Sequence, residues 1–230
     1  MSLFVQLPPA DYSRTAFDRF RPLRGGFDLD DARAMMWMSQ LAYETDAPQT
    51  IADIGPLWDF KPIDPVRVQA QRIDTRVIVG EREDCIVAAF AGTDPALDRN
   101  LMIDADCRLT SNDKYEGFQA ALDAAWPLVE TKLTALIQAR PRPVFFTGHS
   151  LGAALAVLAA EKVKDGRLAP TAVYTFTCRG RAGVISNPAT TVPSAIAPTA
   201  SFTAATRCPA SPIPSRCSGR STRSRMSAVC

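Results

Sequence analysis

Gly148-His149-Ser150-Leu151-Gly152 is the segment of this 230-residue chain whose residue types and spacing can do chemistry. It fits the pattern G-x-S-x-G and lies between an apolar run, Pro143-Val144-Phe145-Phe146-Thr147, and an Ala- and Leu-rich run from Leu151 to Lys164. A serine on a tight strand-to-helix turn holds its hydroxyl out at the end of a sheet. The two glycines remove the Cβ atoms that strand and helix would otherwise drive into each other. The chemistry is nucleophilic attack on a carbonyl, with the backbone N–H of Leu151 at the helix start facing the oxyanion. The plainer reading of the same five residues is a glycine-rich turn that only packs strand on helix. Serine is a poor nucleophile until a base takes its proton, and the base needs an orienting carboxylate. The chain holds one histidine, His149, directly beside Ser150. Neighbouring side chains on an elbow diverge, so His149 is expected to be a structural residue of the turn and not the base. One histidine also excludes a His-rich metal site and a two-histidine relay; no metal or organic cofactor is implied.

The elements that must hold this turn are legible on either side of it. Asp28–Glu44 has helical apolar spacing (Met35, Met36, Met38, Leu41, Ala42) after an acidic start. Thr75–Gly80 and Cys85–Phe90 are β-branched runs separated by Glu81-Arg82-Glu83-Asp84, which predicts a hairpin or two adjacent strands. Tyr115–Ala139 carries one apolar face of a long helix, Leu151–Lys164 is a second helix, and Ala172–Phe176 is a further strand. Strands alternating with helices predict a mostly parallel sheet covered on both sides.

With these elements in place, Val144–Ala156 resembles the nucleophile segment of the class 3 (fungal-type) lipases, an α/β-hydrolase family acting on triacylglycerols and related esters. Three stretches before it and one after agree in order. Ile86–Asp94 resembles the family's strand ending in the oxyanion loop, and Arg99–Asp104 its lid segment. Lys114–Phe118 resembles the start of the next helix, and Tyr174-Thr175-Phe176 the strand after the elbow. The resemblance spans about residues 30–177. It implies Ser150 as nucleophile, with Thr93 and the Leu151 amide as oxyanion donors and Gly148, His149 and Gly152 as elbow residues. Pro95–Ile103 would then be a cover over an apolar acyl pocket. Ala91, Tyr115 and Ala153 stand where the family usually has Arg, His and Gly. The expected fold is an α/β-hydrolase-like sheet with flanking helices whose C-terminal part is missing or aberrant.

The net charge of +2 conceals a break in the chain. Residues 1–177 carry 19 Lys and Arg against 24 Asp and Glu, whereas residues 178–230 carry seven Arg and no Lys, Asp or Glu. Four of the six cysteines and 30 Ala, Ser, Thr and Pro fall in those last 53 residues. The family places both its triad aspartate and its histidine after the strand at Phe176, where this chain has neither residue type. A shift of reading frame near Phe176–Cys178 explains the coincidence. Joining the third base of each codon to the first two of the next, the codons of Cys178–Gly180 permit Pro-Arg, and those of Thr199–Thr203 permit Arg-Ile-Val-His. The codons of Ala205–Pro212 permit Asp-Pro-Val-Pro-Arg-Val-Pro, and those of Arg225–Cys230 permit His-Val-Gly-Arg-Leu. Family members show such segments in this order. The catalytic histidine would lie past residue 230.

The expected organisation is therefore a partial lipase-like domain over residues 1–177 and an out-of-frame, disordered tail over residues 178–230. The tail has two blander readings. Ser215–Arg225 as an arginine-serine arm for nucleic acid or anionic membrane is disfavoured, because no aromatic or lysine interleaves the arginines. The tail cysteines show no C-x₂₋₄-C pair and read as incidental, so no metal set is expected. The expected function is serine-dependent ester hydrolysis on an ester or lipid substrate, with transient lipid-interface contact and no nucleic-acid partner. These 230 residues are expected to be nearly inactive for want of triad Asp and His. The alternative is a non-catalytic lipase-like module that binds lipid or a partner. No apolar run approaches a membrane span, and Met1–Pro9 lacks a secretory pattern, so a cytoplasmic location is expected.

Overall fold

The computed structural model describes residues 6–23, 27–70, 73–92, 112–176 and 182–186. Six strands form one sheet in the sequential order β1 (Ile63–Ala70), β2 (Ile73–Glu81), β3 (Ile86–Phe90), β4 (Val144–His149), β5 (Ala172–Phe176) and β6 (Ala182–Ser186). The helices are α1 (Leu29–Leu41), α2 (Pro48–Ile54), α3 (Asn112–Ala139) and α4 (Leu151–Val163). The α/β layering is as expected, but the parallel pairing is confined to the centre. β3–β4 and β4–β5 are parallel, while β1–β2, β2–β3 and β5–β6 are antiparallel. Hairpin-length connections impose this at the edges. Only the long links carrying α3 and α4 can return the chain for parallel pairing.

β3 is buried along its whole length, and its alternate residues serve two cores. Ile86, Ala88 and Phe90 point to the face covered by α3 and α4, where they meet Leu122, Val129, Phe146 and Leu155. Val87, Ala89 and Ala91 point to the opposite face, under α1 and the N-terminal segment, with Met35, Met38, Phe145 and Tyr174. α1 starts where Asp28 caps it, the carboxylate accepting from the amides of Asp30 (2.9 Å) and Asp31 (3.2 Å). The helix expected to run to Glu44 tightens after Leu41 into a 3-10 turn over Ala42–Asp46. β1 contains Pro65, which is tolerated because β1 is an edge strand.

β5 could be an open edge, since the chain that follows it carries no further legible strand. Instead β6 pairs with it along all five residues, from Phe176↔Ala182 to Ala172↔Ser186. The residues expected to form the lid, 95–103, lie outside the described residues, as does the chain beyond Ser186.

Candidate active site

The site is built at the end of β4, the middle strand of the parallel trio. His149 closes the strand opposite Phe176 of β5, and the Ser150 amide extends the pairing by donating to the Phe176 carbonyl at 2.8 Å. The chain then reverses within one residue. Ser150 takes φ 55°, ψ −122°, one of two positive-φ non-glycine residues among those described. A side chain held in that region costs of order 1–3 kcal/mol and persists only where its surroundings over-determine it. Here the constraint comes from the two glycines. A Cβ on Gly148 would fall into the Gly152 carbonyl, and one on Gly152 into the Phe90 carbonyl, with Ala91 C at 2.8 Å. The first turn of α4 is thus pressed directly onto β3 and β4, and no residue larger than glycine fits at either point. Leu151 is the first residue of α4. Amides of a first helical turn have no intrahelical partner and carry partial positive charge, so an anion forming beside Ser150 meets a favourable field.

The end of β3 comes equally close. A Cβ on Gly92 would lie 3.3 Å from Ser150 Cβ and 2.7 Å from the His149 carbonyl oxygen, and would overlap the Tyr43 hydroxyl. Thr93, the first expected oxyanion donor, directly follows Gly92 but lies outside the described residues.

His149 is buried, and its Nδ1 lies 3.1 Å from the Tyr43 hydroxyl, the two rings tilted at 52°. Burial pushes its pKa down from 6.5 to about 4, so the imidazole is neutral at neutral pH. Beneath it, the Ser39 and Thr147 hydroxyls meet at 2.8 Å, and Thr147 also donates to the Met35 carbonyl (3.2 Å). Sequence reasoning missed Tyr43, Ser39 and the close approach of Gly92. One signal was available for Ser39, its four-residue spacing from Met35 on α1; none marked Tyr43, which lies past the end of that helix.

Residues 87–183 match the family model described as Lipase (class 3). Over that stretch the chain is class 3 lipase-like. The matched span includes the turn at Ser150, β3 from its second residue and the start of β6. No curated protein sequence matches the chain closely. Among solved structures it is similar to lipase II from Rhizopus niveus, with 19% identity and a TM-score of 0.46, over 66% of this chain and 63% of that one. It is also similar to the Rhizomucor miehei triacylglyceride lipase, with 20% identity, a TM-score of 0.45, and 67% and 63% covered. A fungal lipase–inhibitor complex gives 22% identity, a TM-score of 0.42, and 60% and 57% covered. The chain thus spans about three-fifths of the length of these lipases.

Among the described residues no group of three or more His, Cys, Asp or Glu is placed to hold a metal, and no helix is long and apolar enough to cross a membrane. Cys85 is buried, and burial pushes its thiol up, away from the reactive thiolate.

Proposed function

We propose that this chain carries the nucleophile half of a serine ester hydrolase of lipase type, and that residues 1–230 lack the half that activates it. The observation that carries the reading is Ser150 itself: a non-glycine residue at φ 55° where a buried strand turns into a helix. Such a backbone is costly, and presenting a hydroxyl at the mouth of a sheet is the use that compensates for it. In the reaction, Ser150 Oγ bonds to an acyl carbonyl carbon. The carbonyl oxygen becomes an oxyanion held by the amides of Leu151 and Thr93. The ester C–O bond then breaks, the protonated alcohol leaves, and water releases the acid from the acyl-enzyme. Each oxyanion donor contributes about 10²–10³ in rate.

The Ser150 proton must pass to a base and from it to the leaving alcohol, and the proton of water must pass by the same base back to Ser150; that base needs an orienting carboxylate. His149 is a poor candidate: its Nδ1 is engaged by Tyr43 and its backbone neighbours that of the nucleophile. Residues 178–230 contain no His, Asp or Glu. The frame shift near Phe176–Cys178 accounts for both the missing triad partners and the change of composition at the same place. The substrate class is an acyl ester of lipid type, taken up through transient contact with a lipid surface.

The test has two arms. Short p-nitrophenyl esters should turn over slower than with a complete triad by several orders of magnitude, about 10⁶ being typical of triad removal. A chain with the frame restored by one base should turn them over and lose that activity in the Ser150→Ala variant. Full turnover by the 230-residue chain would mean that an unrecognised base exists. Stop codons in the shifted frame, or no Asp-Pro-Val-Pro there, would end the frame-shift account.

A further inference from the structure

The Tyr43 hydroxyl occupies a place that neither the motif nor the proposed chemistry assigns. It stands at the junction of three backbone segments: the 3-10 turn after α1, the end of β3 at Gly92, and the elbow at His149–Ser150. Tyr43 is buried, and its own backbone is held on both sides. Ser39, one turn earlier, is tied to Thr147 of β4 at 2.8 Å. The buried Glu44 carboxylate accepts from the Leu7 amide (2.7 Å) and the Tyr12 hydroxyl (2.9 Å). Asp46, at the end of the turn, pairs with Arg67 and with the buried Arg76 (3.2 Å) of the β1–β2 hairpin. A side chain anchored in this way is a fixed post against which two backbone segments can be set.

We propose that Tyr43 is a positioning residue: its hydroxyl donates to Nδ1 of His149, fixes the imidazole as the Nε2–H tautomer, and so holds the Ser150 elbow at a set distance from Gly92, just past the end of β3. A neutral imidazole has one donor and one acceptor nitrogen, so a phenol that donates to one of them selects the tautomer. The glycine at position 92 fits the same account, because a Cβ there would take the space that the hydroxyl fills. The spacing from Ser150 to the oxyanion donors is the quantity on which acyl transfer depends. Displacements on the scale of one ångström carry rate penalties of about 10²-fold.

The functional part of the proposal rests on the ester-hydrolase reading; the tautomer part does not. Because His149 is the chain's one histidine, ¹⁵N-edited NMR reports its two ring nitrogens without overlap. In the wild-type chain Nδ1 should appear as an unprotonated, hydrogen-bond-accepting nitrogen. In Tyr43→Phe, which keeps the ring and removes the hydroxyl, the tautomer should become mixed. In the frame-restored chain, labelling of Ser150 by a serine-directed phosphonate should slow by roughly 10–100-fold on Tyr43→Phe. A proton on Nδ1 in the wild type, or a tautomer unchanged in Tyr43→Phe, overturns the proposal. So does labelling unchanged in Tyr43→Phe. If Tyr43→Phe does not fold, the wild-type tautomer decides alone. If the frame-restored chain is not labelled at all, or is labelled equally in Ser150→Ala, the hydrolase reading fails and the tautomer, read in the 230-residue chain, still judges the hydrogen bond from Tyr43.

Discussion

Under α3 and α4 one face of the sheet is closed by an apolar cluster of aliphatic side chains with Phe90, Trp126 and Phe146, the buried Thr75 hydroxyl donating to the Ala121 carbonyl at its margin. The face under α1 instead sets hydroxyls, an imidazole and carboxylates among its aromatics: Ser39, Thr147, His149, Glu44 and Asp31 are all buried there. Both faces close the same strands, so the difference is not one of size or depth. An apolar face needs only volume and accepts many packings, whereas a face with buried polar groups is stable only when each finds its partner, which selects one arrangement. The face with the polar groups is the one that runs up to the elbow and holds it. On this division α3 and α4 supply most of the apolar burial, and the α1 side adds polar ties to the placement that the glycine contacts of α4 give Ser150.

That contrast can be broken at several points, the largest effect coming from the apolar side. Phe146→Ala should cost about 3–5 kcal/mol through lost burial and the cavity left behind, read as a fall in Tm. It should leave the NMR titration of His149 where it was; a shifted titration would mean that the two faces are not independent.

The second effect belongs to the α1 face alone. The folded imidazole titrates at about 4 against 6.5 in the unfolded chain, so the unfolded state takes up the proton first as pH falls. Stability from this group is complete above pH 6.5 and is lost between 6.5 and about 4, by roughly 3 kcal/mol. Denaturant melts of the wild type and His149→Gln should diverge in slope over that window. Parallel curves would show that the imidazole is not desolvated as the structure has it.

The smallest effect is the most specific. Thr147→Val keeps shape and removes the hydroxyl shared by Ser39 and the Met35 carbonyl, at a cost of about 1–3 kcal/mol. It should also broaden the His149 signals, since α1 then loses a tie to β4. A sharp, unmoved spectrum would detach the placement of the elbow from α1.

Much of this frame was legible in the chain before its structure. The strand Ala172–Phe176 is found as expected, and the helix from Leu151 ends at Val163, one residue short of the expected Lys164. These segments succeed because their periodicity is local and their breakers are sharp. β1 went unread because Asp64 and Pro65 interrupt its run, which an edge strand permits and a central strand would not. The N-terminal segment has no period at all, yet its Tyr12, Phe17 and Phe20 are buried, with Trp58 Nε1 donating to the Ser13 carbonyl at 2.7 Å. In the site, Ser150, Gly148 and Gly152 could be named from five consecutive letters. Tyr43 could not, since its partner is 106 residues away.

What the sequence determined by itself is whatever depends on neighbours along the chain or on composition: the tight turn that only glycines allow, the serine on it, and the lack of a second histidine or of any acid after residue 177. What only the tertiary structure decided is which side chains lie around that serine. It shows the His149 ring bonded to Tyr43, Gly92 set against Ser150, and β6 laid on the edge beyond β5. The reason is that a turn's conformation is fixed by steric contacts within a few residues, while the partner of a buried polar group is fixed by whichever distant segment the packing brings within 3 Å of it.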